Sequence, residues 1–316
     1  MFKPANSLES PRFTGVRTFM RLPNSQNLND ADIAIVGVPF DSGVSFIPGA
    51  RFGPAALRDA SIILKPYCPM TQINIFDHIS VLDFGDINTV PGYMEESFAN
   101  IEAGVADICK SGTMPVVMGG DHSVSLPILR GLVKEKEPVA LVHFDSHSDT
   151  LPDYFGKPYN HGTPFYWALE EGLILPEKST QIGIRGPLYD KDAMDYPKEK
   201  GMEIITGPDL HELGVEVVVE KVRQRIAGAP VYVTFDIDFL DAAFAPGTGT
   251  PEVGGFSSYE ALKLLIAICA DQQLLGMDLV EVLPAADHGG VTALAGVSLI
   301  HAFLAAVARN KSGQLF

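Results

Sequence analysis

The sequence predicts an α/β fold in which helices cover both faces of a parallel β-sheet. Eight short runs rich in Val, Ile and Leu recur along the chain, and amphipathic stretches separate them. Strands that are apolar throughout, rather than at every second position, are typical of parallel sheets buried on both faces. About eight strands could also close into a barrel, and the strand pattern does not separate these two architectures.

The predicted strands are four to eight residues long, and most are followed by a helical pattern. They span Ile33–Phe40, Val81–Ile87, Met114–Gly120, Val139–Phe144, Thr180–Arg185, Glu203–Thr206, Val231–Phe235 and Leu275–Val282. The clearest helical patterns are "SFANIEAGVADICKSG", "VSLPILRGLVKEKE", "VEVVVEKVRQRIAG" and "SSYEALKLLIAICADQQ". Apolar residues at intervals of three and four in these stretches predict amphipathic helices that pack on the sheet.

Composition and charge fit a globular protein and exclude several classes of partner. The chain has 316 residues, of which 46% are hydrophobic and 20% charged, and no linker rich in Pro, Gly or Ser divides it. We therefore predict a single domain over residues 1–316, with residues 1–30 as an N-terminal extension. The formal net charge of -16 repels phosphate backbones and anionic lipids, so we expect neither a nucleic acid nor a membrane partner.

The cysteines and the longest apolar segment favour a cytoplasmic protein. Cys68, Cys109 and Cys269 are widely separated and form no CxxC motif, so they predict neither disulfides nor a thiolate metal site. The N-terminal residues lack the apolar core of a secretory signal. The segment from Val291 to Ala308 contains Thr, Gly, Ser and His, which predicts a buried helix rather than a membrane span.

Polar side chains gather just after four of the predicted strands. "GGDHS" (119–123) follows the third strand, "DSHSD" (145–149) the fourth and "DIDFLD" (236–241) the seventh, and "EVLP" (281–284) ends the last. In parallel α/β folds the chemistry sits in loops beyond the carboxyl ends of the strands. These strand ends therefore bring seven titratable residues to one rim: His122, Asp145, His147, Asp149, Asp236, Asp238 and Glu281.

All of these residues except the glutamate form a ligand set typical of two divalent cations. In "DSHSD" and "DID" the titratable residues alternate, so in extended backbone they project to one side. Together with His122 they offer four carboxylates and two imidazoles. Oxygen-rich ligands with some nitrogen and no sulfur suit Mn²⁺ and also allow Ni²⁺ or Co²⁺. One ion rarely needs six protein ligands, whereas two ions about 3.5–4 Å apart share bridging carboxylates.

Each motif alone has a simpler explanation. An Asp-x-Asp after a strand usually caps a turn, and a lone His in "GGDHS" is more often the neighbour of a helix cap than a ligand. Only the coincidence of three motifs at strand ends predicts the two-metal site. His143 lies inside its strand, and we expect it to pack or hydrogen-bond. The sequence contains neither a G-x-S-x-G nucleophile elbow nor a phosphate-binding loop.

These motifs resemble the ureohydrolase family, which comprises arginases and agmatinases. "GGDHS", "HFDSHSDT" and "TFDIDFLDAAFAPGTGTPEVGG" are similar to its three metal-ligand motifs, in order and at family-like spacing. Similarity continues through "GVPFDSGVSFIPGARFGPAALR", "YNHGTPFYWALEEGL", "QIGIRG" and "GMDLVEVLP", and covers the chain from about Pro11 onward. The resemblance implies a three-layer α/β/α, arginase-like fold and hydrolysis of a guanidino group to urea and an amine.

The resemblance also implies roles for single residues. One Mn²⁺ would be held by His122, Asp145, Asp149 and Asp236, and the other by Asp145, His147, Asp236 and Asp238. Asp145 and Asp236 would therefore bridge the two ions. His161 in "HGTPF" matches the histidine that relays protons to the leaving amine, and Glu281 matches the carboxylate that binds the guanidinium. Members of the family commonly form trimers or hexamers, which implies a homo-oligomer.

Departures from the family pattern concern the surroundings of the metal set. Ser146 stands where the family usually has Ala, and we expect it to touch no ligand. Phe46-Ile47 and Tyr166-Trp167 replace polar or charged residues of many relatives, which makes the surroundings more apolar and aromatic. In the loop "LPDYFGKPYN", Asp153 would pair with a cationic substrate tail and Lys157 with a carboxylate tail. The predicted substrate-binding residues are Glu281, Asp153, Tyr154, Asn160 and Trp167.

The leading functional prediction is an agmatinase-like enzyme that converts agmatine to putrescine and urea, because the acidic surface and Asp153 favour a cationic tail. Guanidinopropionate and guanidinobutyrate are the alternatives that Lys157 favours, and an alkyl-substituted guanidine is the alternative that the apolar residues favour. A function of another class, a catalytically silent subunit of a hetero-oligomer, is disfavoured. Such a subunit has no reason to keep every ligand together with His161 and Glu281.

Overall fold

The fold is built from ten strands and nine α-helices in the part of the chain that the structure describes. The structure is a computed structural model and describes residues 1–314. Its strands are β1 (Ile33–Gly37), β2 (Tyr67–Cys68), β3 (Ile73–Asn74), β4 (Val81–Asp86), β5 (Met114–Met118), β6 (Ala140–Phe144), β7 (Thr180–Ile184), β8 (Glu203–Thr206), β9 (Val231–Asp236) and β10 (Leu274–Val280). Its helices are α1 (Gly53–Ser61), α2 (Met94–Lys110), α3 (Ser125–Glu135), α4 (Pro164–Glu170), α5 (Asp195–Glu199), α6 (Gly207–Leu213), α7 (Val215–Ile226), α8 (Ser258–Cys269) and α9 (Val291–Ser312).

Eight of the strands form one open sheet in the order β4-β1-β5-β10-β9-β6-β7-β8. Each neighbouring pair in this sheet is parallel, and β2 and β3 form a separate antiparallel pair. The end strands β4 and β8 do not pair with each other, so the barrel alternative is wrong. The eight predicted strands are confirmed, although β1 and β5 end two or three residues earlier than predicted, where the chain turns toward the loops of the site.

Alternate residues of each central strand belong to two separate hydrophobic cores. In β1, Ile33 and Ile35 face one core, whereas Ala34 and Val36 face the other. The first core contains residues of α1, α7, α8 and α9, and the second contains residues of α2, α3 and α4. Burial on both faces explains why the strands are apolar throughout. The predicted three-layer α/β/α architecture is confirmed.

Helix α9 is long and apolar enough to cross a membrane by length and composition alone. Of its most apolar stretch, 67% is buried inside the protein. The helix packs against α1 and α8, and its buried side chains belong to the first hydrophobic core. The sequence-based prediction of a buried core helix is confirmed.

The first thirty residues pack against β4, the edge strand of the sheet. The backbone N–H of Phe19 donates to a carboxylate oxygen of Asp83 at 2.7 Å, and Asn24 forms a parallel bridge with the same residue. Phe19 and Met20 are buried in the first core. This segment therefore covers one edge of the sheet.

Candidate metal centre and active site

The residues of the site come from the ends of four neighbouring central strands. The order β5-β10-β9-β6 places the loops after these strands side by side. Close passage of two loops requires glycine at Gly120, because a Cβ atom there would lie 1.6 Å from the carbonyl oxygen of Phe40. The loop after β5 can therefore bend over the sheet and bring His122 next to the motifs that follow β6 and β9.

His122 is fully buried, and its Nδ1 atom faces three carboxylates. Nδ1 lies 3.0 Å from an oxygen of Asp145, 3.0 Å from one of Asp149 and 3.2 Å from one of Asp236. Nδ1 has no hydrogen-bond partner of good geometry among the described residues, whereas Nε2 lies 2.9 Å from the hydroxyl of Thr234. One buried nitrogen and three carboxylate oxygens thus converge on a single point.

This cluster fits a bound cation. Burial lowers the pKa of the His122 imidazole, but the three carboxylates next to Nδ1 outweigh this effect and raise it well above its usual value. One proton on Nδ1 can point to only one of the three oxygens, whereas a divalent cation attracts the nitrogen lone pair and all three oxygens together. The donor set is therefore chemically suited to a metal ion such as Mn²⁺, Ni²⁺ or Co²⁺.

A second cluster surrounds His147. Its Nδ1 lies 3.1 Å from Asp238 Oδ2 and 3.6 Å from Asp145 Oδ1. Because Asp145 Oδ2 faces His122, the two oxygens of this carboxylate face different clusters, as a bridging ligand requires. Asp236 directs Oδ2 to His122. Its Oδ1 accepts a hydrogen bond from the backbone N–H of Asp238 at 2.9 Å, just as Asp145 Oδ1 accepts one from the backbone N–H of His147 at 2.6 Å.

The carboxylates are crowded and desolvated. Burial, together with repulsion from Asp238 and Asp145, raises the pKa of the Asp236 carboxyl well above its usual value. Burial also raises the pKa of Asp238. Burial acts to raise the pKa of Asp145 as well, but the neighbouring imidazoles of His122 and His143 outweigh this effect and hold it well below its usual value. Ionised carboxylates this close together require compensating positive charge.

His143 acts as a hydrogen-bond donor to Asp145. The side-chain amide of Gln181 donates from Nε2 to His143 Nδ1 at 3.0 Å and to the carbonyl oxygen of Ser148 at 2.6 Å. His143 Nδ1 is therefore an acceptor, and Nε2 carries the proton that lies 2.7 Å from Asp145 Oδ2. This contact fixes the orientation of the carboxylate that faces both clusters.

The expectation that Ser146 touches no ligand is wrong. Its hydroxyl donates to Asp238 Oδ1 at 2.6 Å and lies 3.1 Å from His147 Nδ1. The backbone N–H of Ser146 donates to the same carboxylate oxygen at 3.1 Å. On the other side of the loop, Arg185 Nη2 donates to the carbonyl oxygens of Asp238 at 2.8 Å and of Glu252 at 3.1 Å. Both contacts hold the "DID" loop against β6 and β7.

His161 and Glu281 lie together beside the His122 cluster. His161 Nδ1 is 3.0 Å from Glu281 Oε1, and its Nε2 accepts from the backbone N–H of Ser45 at 3.1 Å. These partners place the proton of the neutral imidazole on Nδ1. Burial lowers the pKa of His161, but the hydrogen bond and charge of Glu281 raise it to about 9. A second proton on Nε2 would have an acceptor in the hydroxyl oxygen of Ser45, 2.7 Å away.

A cavity of about 260 Å³ opens beside these clusters, and polar as well as apolar side chains line it. It is lined by Ser45, His147, Asp149, His161, Asp236 and Thr250 and by the buried Ile184, and its outer wall consists of residues that are half-buried or exposed: Leu151, Tyr154, Pro187, Leu188 and Tyr189. The charged lining residues are all among the predicted metal ligands and His161. The outer wall is therefore apolar and aromatic, and the hydroxyl groups of Tyr154 and Tyr189 bond to each other.

Of the predicted tail-binding residues, Tyr154 lines the cavity, whereas Asp153, Asn160 and Trp167 do not. Asp153 is exposed and accepts from the backbone N–H of Gly156. Asn160 is buried and closes a turn, and Trp167 Nε1 donates to the carbonyl oxygen of Pro158 at 2.6 Å. These three side chains shape the loop around the cavity instead. Glu281 is 2% exposed and lies behind His161 rather than in the cavity wall.

Comparison with known proteins assigns the chain to a family. Residues 31–306 match the sequence profile described as the Arginase family. The chain belongs to this family. It is 42% identical over 309 residues to the guanidinopropionase of Pseudomonas aeruginosa, with 98% of this chain and 96% of that protein covered. It is 41% identical over 299 residues to an agmatinase of Neisseria meningitidis, with 93% and 92% covered.

A solved structure supports the same assignment. Proclavaminate amidinohydrolase from Streptomyces clavuligerus superposes with a TM-score of 0.91 at 39% identity, covering 95% of this chain and 100% of that chain. The predicted arginase-like fold and ureohydrolase resemblance are confirmed. Hydrolases of the arginase family act on C–N bonds of amidines and use a binuclear metal centre. In this chain two groups of side chains lie close enough together to hold a metal ion: His122, His143 and Asp145, and Asp145, His147 and Asp238.

Several residues of the site were not found from the sequence. Thr234 and Asp278 sit in apolar strands. Gln181 and Ser45 lie in the family-like stretches "QIGIRG" and "GVPFDSGVSFIPGARFGPAALR", but neither residue type marks a function by itself. The signal for Asp278 was present as an acidic residue inside the buried run "GMDLVEVLP". A carboxylate in such a strand needs hydrogen-bond donors, which points to a polar partner on a neighbouring strand.

Proposed function

We propose that this arginase-family chain uses two divalent cations to hydrolyse a guanidine to urea and an amine. Mn²⁺ is the leading candidate for the metal, and the substituent of the guanidine is uncharged. The observation that carries the metal assignment is His122 Nδ1, a buried nitrogen that faces three carboxylates. The ions would be held by the predicted set, with Asp145 as the bridge that the geometry supports best. The ligand set is His122, Asp145, His147, Asp149, Asp236 and Asp238.

The protein's own residues then bind and protonate the substrate. Two bound cations supply Lewis acidity for the activation of water. His161 lines the cavity, and we assign to it the delivery of a proton to the nitrogen of the departing amine. Glu281 Oε1 holds His161 through Nδ1 and thereby keeps Nε2 directed at Ser45. We also propose that the carboxylate of Glu281 binds the guanidinium. Because Glu281 is buried and does not line the cavity, this role requires the substrate to reach beyond the cavity wall that His161 forms.

The proposal of an uncharged substituent rests on the side chains that line the cavity. Among residues 1–314, no lysine, arginine or acidic residue other than predicted metal ligands lines it, and Asp153 and Lys157 are exposed outside it. A carboxylate or ammonium tail would lie against Leu151, Leu188 and the paired tyrosines without an ionic partner. Leu188 and Tyr189 are 46% and 79% exposed, so water reaches this wall, but the wall offers no ionic partner that would favour a carboxylate or ammonium tail. We therefore propose a short alkyl group rather than the aminobutyl tail of agmatine.

Release of urea by the Mn²⁺-loaded protein tests this proposal. We expect the kcat/KM value for N-alkylguanidines to exceed those for agmatine, 3-guanidinopropionate and 4-guanidinobutyrate by at least about tenfold. A preference for either charged class would overturn the uncharged tail. Absence of urea from every compound, with Mn²⁺, Ni²⁺ or Co²⁺, would instead support the catalytically silent subunit.

A guanidino acid is the second candidate substrate. The relatives favour it, since the guanidinopropionase is 42% identical to this chain and a guanidinobutyrase of the same organism is 38% identical. Hydroxyl groups of Ser45, Thr150 and Thr250 line the cavity and could donate to a carboxylate. The same substrate series separates this candidate from the first, because the acids would then be preferred.

We also propose the setting of the enzyme: a single domain over residues 1–316 with residues 1–30 as its N-terminal extension, assembled as a cytoplasmic homo-oligomer. The three cysteines are free and buried, which supports a reducing compartment. Supporting assembly, large apolar side chains such as Phe46 and Val253 are 72% and 77% exposed. Light scattering of the purified protein would distinguish a trimer or hexamer from a monomer.

A further inference from the structure

A row of polar side chains crosses the buried sheet beneath the His122 cluster. In the parallel pairing of β9 with its neighbours, Thr234 lies opposite Asp278 of β10 and opposite His143 of β6. All three side chains are fully buried. Polar groups in the middle of an apolar sheet are unfavourable unless each has a partner, so their contacts show what the row does.

The carboxylate of Asp278 accepts hydrogen bonds from three hydroxyl groups. Ser125 donates to Oδ2 at 2.9 Å, Tyr232 donates to Oδ2 at 2.8 Å, and Thr234 donates to Oδ1 at 2.6 Å. No lysine, arginine or histidine forms an ion pair with Asp278 in residues 1–314. Burial raises the pKa of the Asp278 carboxyl, and the hydrogen bonds from the three hydroxyl groups oppose this effect. Three donors and no acceptor around the carboxylate are the arrangement that favours its ionised form.

The direction of the Thr234 hydrogen bond determines what its oxygen can do next. A hydroxyl has one proton, and that of Thr234 is directed at Asp278. Toward His122 Nε2, 2.9 Å away, the same hydroxyl can therefore only accept. The imidazole proton is thus held on Nε2, and the lone pair is left on Nδ1, the atom that faces the three carboxylates.

We propose that Asp278 and Thr234 are positioning residues that hold His122 in the tautomer whose Nδ1 can bind a metal ion. Neither residue touches the cavity, so their effect passes through His122. The negative charge of Asp278, relayed by the hydroxyl, also makes the imidazole a stronger electron donor. The inference rests on the proposed two-metal site, because it concerns the affinity of one of its two positions.

Titration of the metal-free protein with Mn²⁺ or Zn²⁺, in competition with a chelator, tests the relay without measuring turnover. Thr234→Val keeps the size of the side chain and removes the hydroxyl, and Thr234→Ser restores the hydroxyl. We expect Thr234→Val and Asp278→Asn to weaken one of the two metal equivalents by about 10–100-fold. Thr234→Ser and Tyr232→Phe, which removes a donor to Asp278 outside the relay, should stay within a few-fold of the wild type.

A spectroscopic measurement reads the tautomer directly. In the Zn²⁺-loaded protein with ¹⁵N-labelled histidine, the His122 Nε2–H signal should be present, and it should move upfield in Thr234→Val because the acceptor is lost. Unchanged metal affinity in Thr234→Val, or Zn²⁺ on Nε2 of His122 in the wild type, would overturn the relay. Failure of the wild type itself to bind metal would overturn the two-metal site instead, so the two failures are distinguishable.

Discussion

Glu281 Oε1 accepts a hydrogen bond from the backbone N–H of His122 at 2.9 Å and lies 3.0 Å from His161 Nδ1. One carboxylate oxygen thus joins a metal-ligand candidate to the histidine assigned to proton transfer. Glu281 is held with φ 62°, and Asp149 with φ 51°, in a backbone region that residues other than glycine rarely adopt. The backbone is therefore strained at two positions of the site, and at each of them this conformation sets the direction of the carboxylate side chain.

Replacing His161 separates proton transfer from metal binding. His161→Asn should lower kcat by about 10²–10⁴-fold, the usual value of a positioned general acid, while two equivalents of metal remain bound. Urea release and elemental analysis of the same sample measure both quantities. Loss of metal together with activity would show that His161 is a ligand or scaffold and that the proton-transfer assignment is wrong.

Replacing Asp145 tests the bridge between the two clusters. Its two oxygens face His122 and His147 separately, so Asp145→Asn should weaken both metal positions and abolish turnover. Asp153→Asn is a matched control, because Asp153 is exposed outside the cavity and should retain two equivalents. Elemental analysis after reloading with Mn²⁺ gives the number of metal ions bound per chain. One tightly bound equivalent in the wild type would contradict the two-metal site.

Ser146 offers a test within one cluster. Its hydroxyl donates to Asp238 Oδ1 at 2.6 Å, and Ser146→Ala removes this contact with little change of volume. Hydrogen bonds of this kind orient metal ligands, but the backbone N–H of Ser146 still donates to the same oxygen and Ala is the usual residue of the family here. We therefore expect the affinity of the position held by His147 and Asp238 to fall by at most about tenfold. Calorimetric titration of the metal-free variant measures it. Two unchanged binding steps would show that the Ser146 hydroxyl does not influence the metal.

The sheet and the ligand clusters were predictable because each is encoded in local sequence. Runs such as that of β9 specify a strand buried on both faces, and parallel strands place their carboxyl-end motifs on one edge. The contacts of Ser146 and Thr234 were not predictable, because they join residues that are far apart in sequence, as from Thr234 to Asp278. The inward or outward direction of Asp153 also depends on the loop conformation rather than on residue type.

Stability of the metal-free protein should fall as the pH rises. In the folded protein Glu281 raises the pKa of His161 to about 9, against the effect of burial, from an ordinary value of 6.5. The folded state therefore binds more protons than the unfolded state between these values. This contribution to stability is complete below about pH 6.5 and is lost as the pH rises through about 9. The raised pKa values of His122 and His147 act in the same direction.

Thermal unfolding with a chelator present, measured from pH 6 to pH 9, checks this expectation. The midpoint should decrease across the range, and the stabilisation gained on adding Mn²⁺ should increase, because the cations replace protons among the carboxylates. A midpoint of the metal-free protein that rises with pH would show that these histidines are not protonated in the folded state.

The outer wall of the cavity should determine which substrate tail is accepted. Leu188 lines this wall and is 46% exposed, so an arginine there can be solvated and can pair with a carboxylate tail. Leu188→Arg should raise kcat/KM for 3-guanidinopropionate relative to an N-alkylguanidine by about tenfold or more. Leu188→Gln is the matched control, since it is polar but uncharged and should leave the ratio nearly unchanged.

Lys157→Ala should also have no effect on the ratio, because Lys157 is exposed outside the cavity. If Lys157→Ala lowers kcat/KM for the acid while Leu188→Arg does not raise it, the tail is recognised by the loop after β6 rather than by the apolar wall.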